Sequence, residues 1–357
     1  MKKLLLASAV AALSLNTVQA APTLYGKLNI SLDQVSNADF TEDKVTELNS
    51  NASRLGVKGE EKITDSLSAV YLAEWEVSGD GDDDTLKARN RFAGLKFANV
   101  GTLKAGHYDS YFKTAAGSDQ DIFNDNERLD FKDTLVGEDR LSNVVGFETD
   151  PAMLAGLGFN IMFQQGEGST DDAKEARDGF GDSISTSVTY ESDIGLALAL
   201  AGNFDVQSKW AALDGKKLYT DAIRLTGSYD FSNAGAEGLV IGGLFQQAEP
   251  SEEIAGFDDL EEQAFGLTLA YSIPSTPWTV KGEYVAAETS ADGWDDREID
   301  RYGLGVDYKL NKQTKLYGVI AQTKINEALQ AVYQLKDLDA KVEDKETVFG
   351  LGIDLKF

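Results

Sequence analysis

Apolar and polar residues alternate along most of this chain with a period of two. Leu24, Leu28, Ile30 and Leu32 share one face, against Tyr25, Lys27, Asn29 and Ser31 on the other. Leu67, Ala69, Tyr71, Ala73, Trp75 and Val77 oppose Ser68, Glu74, Glu76 and Ser78. Phe265, Leu267, Leu269, Tyr271 and Ile273 oppose Gly266, Thr268, Ala270 and Ser272, and residues 302–310 repeat the pattern. The last run, 347–357, sets Phe349, Leu351, Ile353, Leu355 and Phe357 against Gly350, Gly352, Asp354 and Lys356. A helix repeats every 3.6 residues and would scramble these faces, so the runs predict strands. One apolar face and one small or charged face suit a wall between lipid and water.

Sixteen runs begin near residues 24, 53, 67, 88, 101, 140, 156, 183, 194, 220, 238, 262, 277, 299, 313 and 347. Short connections (98–102, 191–195, 275–277, 311–313) alternate with long ones (36–52, 78–87, 111–139, 166–182, 206–219, 249–261, 289–298, 326–346). Short turns on one rim and long loops on the other predict an all-β fold, a sixteen-stranded antiparallel transmembrane β-barrel. The even count puts both termini on the short-turn rim. Tyr25, Tyr190, Tyr229, Tyr271, Trp278 and Tyr308 fall near strand ends, where aromatic girdles meet headgroups. A soluble sandwich also alternates, but it needs no aromatics at both strand ends.

The first twenty residues stand apart. Met1-Lys2-Lys3 precedes an apolar stretch from Leu4 to Leu15 and the small-residue site Val18-Gln19-Ala20. This predicts a secretory signal, 1–20, cleaved after Ala20, with 21–357 forming the barrel. No later stretch approaches the ~20 continuous apolar residues of a membrane helix. The absence of cysteine suits export.

Charge and chemistry narrow the function. Sixty carboxylates face 33 basic residues, a net charge of −27. Nucleic acid is excluded as a partner, because phosphate contacts need a basic face. The acidity concentrates between strands, in 80–84, 249–262 and 292–298. Such loops serve as solvated surface or as divalent-cation bridges to anionic headgroups. The one histidine, His107, has Asp109 two residues on, too little for a hydrolase. Residues 80–84 begin like a calcium loop, but Thr85 and Arg91 stand where Gly and Glu are required. No enzyme, metal site or cofactor is predicted.

Several segments resemble the trimeric general-diffusion porins of Gram-negative bacteria. These are Leu24-Tyr-Gly-Lys27, Ser53-Arg-Leu-Gly-Val-Lys-Gly59, Lys87-Ala-Arg-Asn-Arg-Phe-Ala-Gly-Leu-Lys96, Asn99-Val-Gly-Thr-Leu-Lys-Ala-Gly106 and Arg140-Leu-Ser-Asn-Val-Val-Gly-Phe147. With the terminal Phe357, the resemblance spans the mature chain. It implies a basic ladder on the barrel wall at Lys27, Arg54, Arg89 and Arg140, flanked by Lys87 and Arg91 at the parity of Arg89. It also implies that the third loop, 111–139, folds inward and opposes the ladder with Asp119, Asp121, Asp125 and Glu127. The family's Pro-Glu-Phe-Gly-Gly tip is replaced here by 121–129, Asp-Ile-Phe-Asn-Asp-Asn-Glu-Arg-Leu. Parity independently aims Arg54 and Lys58 inward, because Arg at mid-depth in lipid costs about 2–4 kcal/mol. A purely structural role, pairing with the loop to hold it, is the alternative for these arginines.

The expected function is a water-filled outer-membrane channel for passive diffusion of ions and small hydrophilic solutes. The resemblance implies a homotrimer, contact with outer-membrane lipids including lipopolysaccharide, and a C-terminal strand read by the barrel-assembly machinery. The acidic balance predicts weak cation selectivity. A solute-selective channel and a surface-binding barrel (an adhesin or receptor) are the rival readings.

Overall fold

The computed structural model describes residues 21–82, 85–124, 126, 128–166, 179–335 and 341–357. The predicted signal therefore lies outside the described residues. Seventeen β-segments follow in chain order: β1 (Thr23–Ser36), β2 (Lys44–Ser50), β3 (Arg54–Lys62), β4 (Leu67–Glu76), β5 (Lys87–Phe97), β6 (Gly101–Asp109), β7 (Arg140–Thr149), β8 (Leu157–Gln164) and β9 (Ser183–Glu191). The second half holds β10 (Leu196–Trp210), β11 (Lys216–Asp230), β12 (Leu239–Pro250), β13 (Glu261–Ser272), β14 (Trp278–Ser290), β15 (Arg297–Lys309), β16 (Thr314–Ile325) and β17 (Lys345–Lys356). Every pairing is antiparallel.

Seventeen segments make sixteen strands. β2 and β3 both pair with β1, β2 against its far half and β3 against Thr23–Lys27. They are one strand interrupted at residues 51–53, where Ala52 has φ +50°. Residues 44–50 lie within 36–52, where the sequence predicts a loop. β17 then pairs with β1 from Ser36↔Thr347 to Lys27↔Lys356 and closes the barrel. At this seam Gly26 N–H donates to Phe357 O (2.9 Å) and Phe357 N–H to Gly26 O (3.0 Å). The Phe357 ring lies on Gly26, where a Cβ would come within 2.2 Å of it.

The two faces separate as the alternation requires. Leu24, Leu32, Leu200, Ile223, Leu225, Phe265, Leu304 and Phe349 are exposed on the outside. Their neighbours Asn29, Ser31, Asp33, Arg224, Thr226, Gln246, Glu262, Glu283 and Arg301 are buried on the inside. Lipid-facing side chains have no protein beyond them, whereas inward ones meet loop and wall. Tyr190, Tyr271 and Trp278 are exposed on the outer parity, Trp278 stacking edge-on with Tyr308 at 4.6 Å. Tyr25 is an exception to the girdle: its hydroxyl turns inward and donates to Glu74 (2.8 Å).

Among the described residues, two short α-helices lie outside the strands, α1 (Tyr111–Ala115) and α2 (Glu327–Gln334). Asn326 caps α2 by accepting from Leu329 N–H (3.1 Å), and Leu329 is fully buried with Ile299 and Ile325. No helix among the described residues is long and apolar enough to cross a membrane.

Candidate pore and its lining

The segment 111–139 is held by inward-parity residues of successive strands. Phe112 N–H donates to Ser185 Oγ of β9 (3.1 Å). On β11, Thr226 Oγ1 donates to Ala115 O (2.7 Å), Ser228 Oγ to Asp119 Oδ2 (2.8 Å), and Gln120 Nε2 reaches Gly227 O (3.0 Å). Lys281 Nζ of β14 donates to Ile122 O (3.1 Å). Phe123 lies on Gly303 and Gly305 of β15, where any Cβ would collide with its ring. Phe123 and Leu129 then pack with Tyr317, Val319, Val348 and Val35. The segment therefore runs along the inner side of the wall from β9 round to β1.

Two arginines fasten it. Arg224 is wholly buried, with Nη2 2.6 Å from Glu138 and from Gln246 Oε1, and Nη1 3.3 Å from Phe112 O. Arg301 donates to Asp130 O (2.7 Å) and Thr134 Oγ1 (3.0 Å) and pairs with Glu283 (3.1 Å). Arg128 ties the far end to Glu346 (2.7 Å), Asp39 (3.3 Å) and Glu47 (3.4 Å). The alternation across 302–310 sets Arg301 inward. Which inward arginine meets a loop depends on the loop's path, and strand periodicity carries no information about that.

The predicted ladder divides. The register puts Lys27, Arg54 and Lys87 on the inner face, where Lys27↔Arg54 and Glu76↔Lys87 are directly opposed. Arg54 lies 4.0 Å from Glu74; Arg89 is 2.8 Å from Glu74 and 3.4 Å from Glu76. Arg140 pairs with Asp109 (3.0 Å) and donates to Asn90 Oδ1 (2.7 Å), on the strand that carries Arg89. Glu74, Glu76 and Asp109 were not among the expected site acids, although Glu74 and Glu76 share the inward parity.

Arg91 departs from expectation. A β-bulge between the Ala73 and Trp75 pairings of β4 inserts a residue in β5. Arg91 consequently opposes Ala73 on one side and His107 on the other, in the row of Leu95 and Leu103, which are exposed outside. Equal parity along β5 assumes unbroken alternation, and the bulge breaks it between Arg89 and Arg91. His107 shares this outer face and bonds Ser142 Oγ at 2.8 Å.

The expected loop acids are also redistributed. Asp119 is held by Ser228 on β11. Asp121 is buried and accepts from Asn124 Nδ2 (2.6 Å). Burial, with Asp130 and Glu138 nearby, pushes its carboxyl well above the usual carboxylate range. Asp125 and Glu127 lie outside the described residues. At the loop's end, burial pushes Asp139 up to about 6, against a bond from Ser208 Oγ that favours ionisation.

The comparisons agree with this architecture. The Gram-negative porin family matches residues 4–328. Outer membrane porin F of Xenorhabdus nematophila is 24% identical, the match covering 100% of both chains. Outer membrane porin protein 32 of Delftia acidovorans is 25% identical, covering 100% of this chain and 99% of its own. Among solved structures, an anion-selective porin from Comamonas acidovorans shares the fold with a TM-score of 0.70 at 20% identity, covering 94% of this chain and 99% of that one. The trimer form of OmpT of Vibrio cholerae gives 0.67 at 18%, with the same coverage. The chain belongs to the Gram-negative porin family and is a β-barrel of the outer membrane.

Proposed function

We propose that the barrel is a water-filled channel passing ions and small hydrophilic solutes by passive diffusion, after removal of the 1–20 signal. The observation that carries this is the inner wall from β1 to β7, where Lys27, Arg54, Arg89 and Arg140 remain partly exposed while the segment 111–139 occupies the other side. Charged groups that retain water line a path for solutes, and apolar ones gain nothing there. The loop and Glu74 together define the constriction, so the basic wall serves both permeation and structure.

Net charge alone favours weak cation selectivity, but two features support a weak anion preference. The charge of −27 is weighted toward loops, and of the four expected loop acids the two that are described are engaged, Asp119 with Ser228 and Asp121 in a buried site. The neighbour from Comamonas acidovorans is itself described as anion-selective. Under a potassium chloride gradient the reversal potential of the reconstituted protein should carry the anionic sign. It should move toward cations in Arg54→Ala plus Arg89→Ala. A firmly cationic wild-type potential would return the net-charge reading.

A homotrimer fits the outer face. Arg91 and His107 point outward on β5 and β6. Facing lipid at mid-depth, Arg91 would cost about 2–4 kcal/mol, whereas a protein neighbour can neutralise it. Lipopolysaccharide contact and recognition of the last strand by the assembly machinery complete the proposal. Both rest on the outer apolar band and on Phe357.

A further inference from the structure

Beneath the segment 111–139, toward the short-turn rim, the wall reverses the protein's charge. A cavity of about 240 Å³ is lined by Lys309, Lys312, Lys315 and Lys356, with Asp307 and Asp354. A smaller one of about 50 Å³ continues inward past Lys27, Lys281 and the loop-tip amides Asn124 and Asn126. The two share Lys315, Asp307 and Asp354. Six lysines thus meet two aspartates in a chain whose acids outnumber its bases 60 to 33.

The register makes this costly. Lys27 stands directly opposite Lys356 across the β1–β17 seam, and Lys309 opposite Lys315 across β15–β16. Like charges at directly opposed positions destabilise a sheet. Asp307 offsets part of the repulsion, at 2.9 Å from Lys315 and 3.4 Å from Lys281. Lys309, Lys312 and Lys356 make no ion pair with a described residue. Each ammonium carries three donors and no acceptor, so the cluster has donors to spare for an oxyanion.

We propose that this lysine-lined vestibule is a binding site for small dianions bearing carboxylate or phosphate groups, on the exit path of the channel. It rests on the channel reading and deepens it, by naming the solute class and placing its site apart from the Arg54–Arg89 wall. An anion there bridges the opposed lysines from β15, β16, β17 and β1 and relieves their repulsion. Lys281, bonded to Ile122 O as well as near Asp307, connects this vestibule to the loop tip.

The test uses the full folded protein in planar bilayers, with chloride carrying the current. Succinate and inorganic phosphate are added in turn to each side. Either should reduce the chloride conductance in a saturable way at roughly millimolar concentration. The variant Lys315→Gln plus Lys356→Gln should raise the half-blocking concentration about tenfold, as loss of charged hydrogen bonds predicts. Lys341→Gln, on the long-loop side, should leave it unchanged. If the first pair fails to assemble, Lys309→Gln plus Lys356→Gln serves instead. Block by only one anion identifies the preferred headgroup. Ohmic conductance that neither anion affects, or block unchanged in both lysine pairs, overturns the site while leaving the channel standing. Absence of ohmic steps in every salt removes the channel reading and the site with it.

Discussion

Arg301 on β15 and Glu283 on β14 form an ion pair of 3.1 Å with both side chains out of water, and the same guanidinium holds the backbone of Asp130 at 2.7 Å. One group therefore joins the wall to the loop. Arg301→Ala leaves Glu283 buried without its partner and frees the loop. Breaking a buried pair in this way costs about 3–5 kcal/mol. The melting temperature in detergent should fall, and surviving channels should show added current noise. An unchanged melt with quiet channels would mean that the loop is held elsewhere.

Arg89 and Arg91 are two residues apart and are expected to behave oppositely. Arg89→Ala removes charge beside Glu74 and should shift the reversal potential. Arg91→Ala should leave conductance and selectivity alone and weaken the proposed trimer, seen as earlier dissociation of unheated samples on gels. A shift of reversal potential in Arg91→Ala equal to that in Arg89→Ala would contradict the bulge.

Phe357 closes the seam through two backbone bonds to Gly26 and a ring that covers it. Phe357→Asp exchanges an apolar outward ring for a charge at the rim. Outer-membrane yield should drop and unassembled chain should collect in the periplasm. Gly26→Val should do the same by collision. Normal yield of both variants would show that the seam tolerates disruption.

Asp139 predicts a pH dependence. Its folded carboxyl holds a proton up to about 6, above the ordinary 3.8. A raised carboxyl pKa means that the ionised form opposes folding. Its stabilising share is full below 3.8 and is lost as pH rises through about 6. Between pH 5 and pH 8 the wild type should lose about 1.4 kcal/mol relative to Asp139→Asn. Parallel melting curves for the two proteins across that range would refute this.

The barrel was legible because lipid imposes a strict rule on every second residue. Apart from the strand that β2 and β3 share, which begins at Lys44 rather than near 53, strand starts fell within four residues of those observed, from Thr23 to Lys345, since one misplaced charge in hydrocarbon is costly. What escaped was whatever the rule does not govern. The helix 327–334 sits beyond the membrane, the segment 44–50 precedes an interruption, and the bulge before Arg91 is a single inserted residue. At the site, periodicity could say that Arg54 and Lys58 face inward. It could not say that Asp119 turns to Ser228, that Glu74 meets Arg89, or that lysines from β14 to β17 converge.

The lopsided seating of residues 111–139 separates two kinds of mutational risk. Changes to Arg224, Gln246, Glu262, Glu283 or Arg301 strike groups on which folding depends, so that half of the interior is closed to variation. On β3 and β4, inward side chains such as Arg54, Lys58 and Glu76 stay partly or fully exposed, and replacing them should change traffic without endangering assembly. A lineage carrying this barrel can therefore retune the proposed channel by drift along one side of the lumen, while the other side keeps the scaffold constant.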